Sequence, residues 1–378
     1  MQKLITFSAF LLLAFGARAE SDLLPVETFA SLPAVTNVRL SPNGENVAFM
    51  VKVDTNDIQG VAIRVLNLAS GEFTTPTYAQ TKDFVIRALR WANDDQLLLS
   101  ALFPAERYGV PTTESRLVAV DIETEEMRSV LPHSYLRRLD RMPQIQDDIV
   151  DFLRDDPDSI LLQGRFDNSG GDSLIRASLV GKDVKRVKRS RPGVIEWVTD
   201  REHYPRISIV RDDTTYSVYH QRPGKSTWND LWHFEAFSEE QVWPMSFDKD
   251  PDILYVRAYH DGRLAVFKVR LSDAELEKEL VFSHPTYDVE GSLIYSKTGD
   301  VIGNRFSTGG GYTFWDEEYK ALQTGLNKAL PDTTNIIYDL SDDERRYVVV
   351  ASSDTDPGTY YIGDRDETRR MQLASRYP

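Results

Sequence analysis

Three short strings in this 378-residue chain combine residue types that could do chemistry. In Gly171-Asp172-Ser173-Leu174-Ile175 a serine follows a glycine, as at a nucleophile turn. That turn needs small residues on both sides of the serine, in the pattern G-x-S-x-G. Here Ile175 stands where the second glycine belongs, and the residues that follow alternate like a strand, so Ser173 is not assigned as a nucleophile. Arg222-Pro223-Gly224-Lys225-Ser226-Thr227-Trp228 ends like a phosphate-binding loop, but its first glycine is replaced by Tyr219. Without a strand–loop–helix context it reads as a hairpin turn. Ser307-Thr308-Gly309-Gly310-Gly311 could cradle an anion through backbone N–H groups, although a flexible connection between strands fits it better.

Metal chemistry is equally thin. The six histidines, His133, His203, His220, His233, His260 and His284, include no pair at helical ligand spacing. Asp248-x-Asp250-x-Asp252 imitates the start of a calcium loop, but Ile253 and Tyr259 occupy the positions that need glycine and glutamate. The chain has no cysteine, which excludes thiol nucleophiles, thiolate metal sites and redox pairs. No catalytic, cofactor-binding or metal-ligating residue is therefore assigned, and no cofactor is expected. Ligands converging from distant parts of the chain stay open.

The first residues, MQKLITFSAFLLLAFGARAE, carry a positive start at Lys3, an apolar core from Leu4 to Phe15 and an Ala17-Arg18-Ala19 cleavage pattern. They read as a signal peptide cut after Ala19, which makes the protein periplasmic or secreted without a stable membrane anchor. Removal of residues 1–19 deletes two cations and no acid, and takes the formal charge from −15 to −17. Such a chain is unsuited to nucleic acid or anionic membranes, which need a basic surface. One run, KDVKRVKRSR at 182–191, breaks the acidic background. It reads as a solvated outer strand and loop, with contact to an acidic partner as the alternative.

The elements that must position any site come from a repeat. In VRLSPNGENVAFMV (38–51) a polar turn precedes alternating Val47, Phe49 and Val51. The same phrase returns at 86–101, 149–164, 194–210, 242–258, 289–306 and 336–352. Several copies are followed by a second strand pair, as in 62–77 and 116–131. A repeat of four strands every 40–50 residues or so is the signature of a propeller, because one blade cannot bury both of its faces alone. The expected fold is all-β, a β-propeller of seven four-stranded blades with short helical insertions. A β-sandwich accounts poorly for seven matching units, while weak patterning at 165–236 leaves six or eight blades open. The expected organisation is a signal peptide over 1–19, an N-terminal extension over 20–37 and the propeller over 38–378. Two helices are expected on its rim. One spans 315–332, with Tyr319, Leu322, Leu326 and Leu330 on one face, Asp316 as cap and Pro331 at the end. The other spans 271–280, opened by the capping box Ser272-x-x-Glu275. Docking of another domain on these helices is the functional alternative to simple rim packing.

The start segment PVETFASLPAVTNVRLSPNGENVAF (25–49), the inserted helix and the last blade SSDTDPGTYYIGDR (352–365) together resemble the N-terminal half of an exported bacterial prolyl oligopeptidase family serine peptidase of the dipeptidyl peptidase or acylaminoacyl peptidase kind. The resemblance implies a propeller that gates and selects peptide substrates for a following α/β-hydrolase domain with a Ser-Asp-His triad. No such domain occurs before Pro378, so no triad residue is transferred and the chain by itself is expected to be inert. Family members of the dipeptidyl kind hold the substrate amine with an acidic pair. Glu317-Glu318 is such a pair, but acids are expected in a first helical turn from the helix dipole alone, and the role is not transferred. Two rival readings accompany this one: a stand-alone periplasmic propeller that binds protein or peptide partners, and a propeller enzyme with a metal in its channel.

Overall fold

A computed structural model describes residues 31–55, 59–306, 311–367 and 369–377. The signal peptide, most of the N-terminal extension and most of the glycine-rich string at 307–311 lie outside the described residues. The body from Pro33 onward is built from seven antiparallel sheets, each made of strands consecutive in the chain. Blade 1 holds β1 (Val35–Leu40), β2 (Asn46–Asp54), β3 (Gln59–Asn67) and β4 (Phe73–Gln80). Blade 2 holds β5 (Val85–Trp91), β6 (Gln96–Arg107), β7 (Val110–Asp121) and β8 (Met127–Ser129). After the short helix α1 (His133–Leu136), blade 3 holds β9 (Ile149–Asp151), β10 (Ser159–Gly164), β11 (Ser173–Ser178) and β12 (Val184–Lys188). Blade 4 holds β13 (Val194–Thr199), β14 (Pro205–Asp212), β15 (Thr215–Gln221) and β16 (Trp228–Glu235). Blade 5 holds β17 (Val242–Phe247), β18 (Ile253–His260), β19 (Arg263–Arg270) and β20 (Lys278–Phe282). Blade 6 has only β21 (Leu293–Tyr295), β22 (Val301–Phe306) and β23 (Gly311–Phe314) among the described residues. Helix α2 (Glu317–Ala329) follows it, and blade 7 completes the set with β24 (Thr334–Leu340), β25 (Arg346–Ser352), β26 (Thr359–Asp364) and β27 (Arg369–Ser375).

The seven turn-and-strand phrases are the first two strands of the seven blades. The count is seven, because the weakly patterned region 165–236 completes blade 3 and supplies all of blade 4. The first strand begins at Val35 rather than at residue 38. Blade 6 departs from the four-strand plan: the chain passes from β23 into α2, whose Tyr319 and Leu326 are buried with Phe314 of blade 6 and Ile337, Tyr347 and Val349 of blade 7. Asp316 caps this helix by accepting from the N–H groups of Glu318 (2.9 Å) and Tyr319 (3.3 Å), as its sequence anticipates. The expected helix at 271–280 does not form. Ser272 spends its hydroxyl on Asp252 (2.5 Å) instead of capping, Leu276 takes a left-handed φ of 49°, and residues from Lys278 pair with β19 as an outer strand. Strand pairing along a whole edge outweighs one capping box, whose parts are worth about 1 kcal/mol.

A separate apolar cluster fills each junction between neighbouring blades. Met50 and Ile63 meet Leu89 and Leu97 at the first junction. Leu117 and Ala119 meet Ile160 and Leu162 at the second, and Leu161 and Leu174 meet Val194 and Trp197 at the third. The largest, at the fourth, joins Ile207 and Val218 to Phe247 and Val256. Tyr255 and Val266 meet Leu293 and Val301 at the fifth. The sixth junction is the α2 cluster, and the seventh closes the ring.

Among the described residues no strand is exchanged between the first and last blades, and closure there rests on side chains and turns. Val35, Val38, Leu40, Val47, Phe49 and Leu66 of blade 1 bury against Val348, Val350, Tyr360 and Ile362 of blade 7. Polar contacts add Ala34 N–H to the Arg376 carbonyl (2.7 Å), Leu40 N–H to Asp339 Oδ2 (3.0 Å) and Arg346 to the Gly44 carbonyl (2.6 Å). At about 1.5–3 kcal/mol for each fully buried large aliphatic side chain and about 1 kcal/mol net for each hydrogen bond, the apolar cluster dominates closure. The hydrogen bonds fix its register. Because β1 and β24 each open a four-strand meander, the chain enters at Ala34 and leaves at Arg376 side by side, on one face of the ring.

Candidate functional site

The first strand of each blade is innermost, and together these strands wall a central channel. A cavity of about 490 Å³ lies in it, lined from blades 1, 2, 3, 6 and 7. It sits at the end where the first strands turn into the second, the face away from Ala34 and Arg376. Its wall combines Leu40, Trp91, Phe152, Ile294 and Tyr312 with the cations Arg39, Arg90, Arg154, Lys297 and Arg305 and the acids Asp339, Asp342 and Glu344.

Regular alternation places the deep charges. In β1, Arg39 stands between buried Val38 and Leu40, and in β5, Arg90 stands between buried Leu89 and Trp91. A residue between two core-facing neighbours must face the other way, here into the channel. Asp339 of β24 holds the corresponding place one residue before Leu340 and two before the turn serine Ser341. Arg39 lies over the Tyr338 ring at 4.5 Å and donates to the Tyr338 carbonyl at 3.3 Å. Arg305 lies over Tyr312 at 4.9 Å, and the Tyr312 hydroxyl donates to the Tyr338 carbonyl. Trp91 Nε1 donates to the Arg39 carbonyl at 3.0 Å. Arg90 has no hydrogen-bond or ion-pair partner among the described residues.

Electrostatics in this pocket is unbalanced. Burial pushes the Asp339 carboxyl upward, against the pull of Arg39, Arg305 and the Leu40 N–H. Arg90 is reached by solvent through the channel, but the walls displace most of its water. That desolvation lowers its pKa, and the like charges of Arg39 and Arg305 lower it further against the opposing pull of Asp339. Burial also pushes the Tyr312 hydroxyl up to about 12, so it stays a neutral donor. Nearer the mouth Arg154 pairs with Asp342 at 3.6 Å, and the Lys297 N–H donates to Glu344 at 2.5 Å. Elsewhere on the inner strands Glu196 of β13 is pushed upward by burial and by Asp148, against Arg257.

The sequence motifs fall elsewhere. Ser173 opens β11 and is fully buried, its hydroxyl on the Gly164 carbonyl at 3.4 Å. Residues 222–227 are the hairpin between β15 and β16, and Asp248 to Asp252 form the turn between β17 and β18. No group of three or more metal-ligating side chains occurs among the described residues. The basic run holds β12, the exposed outer strand of blade 3. Glu317 and Glu318 occupy the first turn of α2, where they pair with Lys320 and Arg365. The histidines do not assemble. His203 bonds Asp151 at 2.9 Å, His233 meets Ser217 at 2.9 Å on the exposed side of blade 4, and His220 is buried against Arg206 at 2.9 Å. The sequence reading missed the arginine cluster.

Searches with the sequence match no family model and no curated relative. Comparison of the structure is informative. A Mycobacterium tuberculosis puromycin-hydrolysing peptidase superposes with TM-score 0.54 at 12% identity, over 92% of this chain and 53% of that one. A prolyl endopeptidase superposes with TM-score 0.51 at 12% identity, over 91% of this chain and 50% of that one. The β-propeller domain of the Trilobed protease from Pyrococcus furiosus, described as having an open velcro topology, superposes with TM-score 0.51 at 13% identity, over 92% of this chain and 97% of that one. The likeness is one of fold. The chain is a β-propeller of the kind found in these peptidases, and it spans about half the length of the first two.

Proposed function

We propose that this chain is the propeller part of an exported serine peptidase of the prolyl oligopeptidase family, in which it walls and gates access to an α/β-hydrolase domain. The observation that carries this reading is the meeting of Ala34 and Arg376 on one face of a seven-bladed ring. A domain joined there is tethered over the channel. The structural likeness to peptidase propellers points the same way, and the signal-like start of the chain supports export. Peptides are the substrates this reading implies, and the chain alone is inert.

The test uses the organism's own protein. A fluorophosphonate probe that labels active serines is applied to an envelope extract, and the product is captured with an antibody to this propeller. The expected result is a labelled species heavier than 43.1 kDa by a further domain of roughly 250 residues. A captured species that carries no label and has the mass of this chain alone, less any cleaved leader, would overturn the proposal and favour a stand-alone binding propeller.

A further inference from the structure

The channel cavity holds more positive charge than its own residues neutralise. Arg39, Arg90 and Arg305 arrive from three different blades and share one deep carboxylate, Asp339. None of the three arginines forms an ion pair among the described residues. Arg39 is occupied by Tyr338, and Arg305 by the face of Tyr312. Arg90 has no hydrogen-bond or ion-pair partner among the described residues. Collecting like charges in a partly desolvated pocket is unfavourable unless something compensates them, and the surrounding Leu40, Trp91, Phe152 and Ile294 weaken the screening by water. The whole chain carries a net charge of −15, so this is no sample of a generally basic surface.

A guanidinium offers a planar fork of N–H donors that fits carboxylate and phosphate oxygens, and it cannot shed its proton at working pH. We propose that the turn-end cavity of the central channel binds an oxyanion, a carboxylate or phosphate group held by Arg39, Arg90 and Arg305. Tyr312 keeps its hydroxyl on the Tyr338 carbonyl and lies under Arg305, and Asp339, which accepts from the Leu40 N–H, supplies the one opposing charge. With one carboxylate against three guanidiniums, a phosphate dianion brings the group to neutrality, and a peptide carboxylate halves the excess. The site lies wholly on the propeller and does not depend on the peptidase reading.

The experiment is calorimetric titration of the whole chain in a chloride buffer free of other oxyanions. Three probes are used: inorganic phosphate, an N-acetylated tripeptide with a free C-terminal carboxylate, and the same tripeptide amidated. Saturable binding of phosphate or of the free-acid peptide is expected, with Kd below about 1 mM, and none of the amide. Arg90→Gln and Arg305→Gln each weaken binding by about tenfold or more, the scale of a lost charge-assisted hydrogen bond. Neither side chain makes a hydrogen bond among the described residues, so an unchanged circular dichroism spectrum and unfolding midpoint keep the comparison clean. Lys185→Gln, on the basic outer strand, binds as the parent does. A phosphate-only response identifies a small oxyanion as the ligand, and a stronger response to the peptide acid identifies a chain terminus. The proposal is overturned if neither oxyanion binds, if the amide binds as well as the acid, or if binding survives both arginine substitutions.

Discussion

The buried group at the junction of blades 4 and 5 makes stability depend on pH in a way that can be worked out. Arg206 and Asp200 are about 4% and 5% exposed, and His220 about 4%. Arg206 reaches Asp200 (2.9 Å), the Gln221 carbonyl (2.6 Å) and His220 Nε2 (2.9 Å), and it lies over the Phe247 ring at 4.9 Å. Arginine can only donate, so Nε2 accepts and His220 carries its proton on Nδ1. Burial, Arg206 and Arg222 lower its pKa from 6.5 to about 4, against a weaker upward pull from Asp252. The sign follows from proton uptake. Below pH 6.5 the unfolded chain protonates this histidine while the folded chain resists until about pH 4. Its contribution is therefore complete above pH 6.5 and is lost as pH falls toward 4. At about 1.4 kcal/mol per pH unit, the loss is about 2 kcal/mol by pH 5 and about 3 kcal/mol over the whole interval.

Carboxylates elsewhere also titrate in acid, so the parent alone does not isolate this effect. His220→Gln keeps an acceptor for Arg206 but removes the titration. Urea unfolding of parent and variant at pH 7.5 and pH 5.0 gives the difference that belongs to His220. The parent should lose about 2 kcal/mol more than the variant between the two pH values. A histidine-selective NMR titration of the folded protein should show the His220 ring still neutral at pH 5. A native pKa near 6.5 for that ring, or equal losses in parent and variant, would refute the reasoning.

Other expectations concern closure, the helix and the channel. Gly44 has φ of 72°, and a Cβ there meets Ser341 Cβ at 2.9 Å across the closing junction, so Gly44→Ala should cost about 1–2 kcal/mol in chemical unfolding. Asp316→Ala removes the α2 cap and should cost about 1 kcal/mol, with faster amide exchange confined to the first turn of that helix. Asp339→Ala leaves three arginines without their shared carboxylate and Leu40 N–H without its acceptor. It should destabilise the chain by about 1–3 kcal/mol, a loss that added phosphate partly restores in a thermal melt if the arginines then take an anion instead.

The plan of the fold was legible because its signals are local. Ser41-Pro42-Asn43-Gly44 and Ser341-Asp342-Asp343-Glu344 build the same turn. In each, the serine hydroxyl donates to the third residue's side chain, at 2.7 and 2.6 Å, and the fourth N–H donates to the serine carbonyl at 2.8 Å. The polar turn residues also hold the next blade, which is why they recur. The Asn43 N–H donates to Asp94, Asn93 to the Pro157 carbonyl and the Asp342 N–H to the Pro42 carbonyl, each at 2.8 Å. A helix at 271–280 was misread because its evidence was a single capping box, while the deciding contact, with Asp252, comes from another strand. The arginine cluster was not legible by the same local rules. Arg39, Arg90, Arg305 and Asp339 belong to four blades, and no string contains two of them.

A signal for the cluster was nevertheless present in the repeat. Aligned on their turns, Arg39-Leu40-Ser41, Arg90-Trp91-Ala92 and Asp339-Leu340-Ser341 occupy one register, with a charge, a large apolar residue and a small turn residue in order. A charge in that place is anomalous for an innermost strand unless the strands surround something polar. Reading one register position around the ring, instead of one string along the chain, therefore brings Arg39, Arg90 and Asp339 together, whereas Arg305, on the second strand of blade 6, lies outside that register. It also separates two roles in space. β1 starts beside Arg376 and ends beside Asp339, so the face where the chain enters and leaves and the arginine cavity lie at opposite ends of the same strands. A domain tethered at the first face and an anion held at the second, as proposed above, would not compete for the same surface. Any influence of one on the other must pass along the inner strands, chiefly β1 and β24, which Arg39, Tyr338 and Asp339 already lock together.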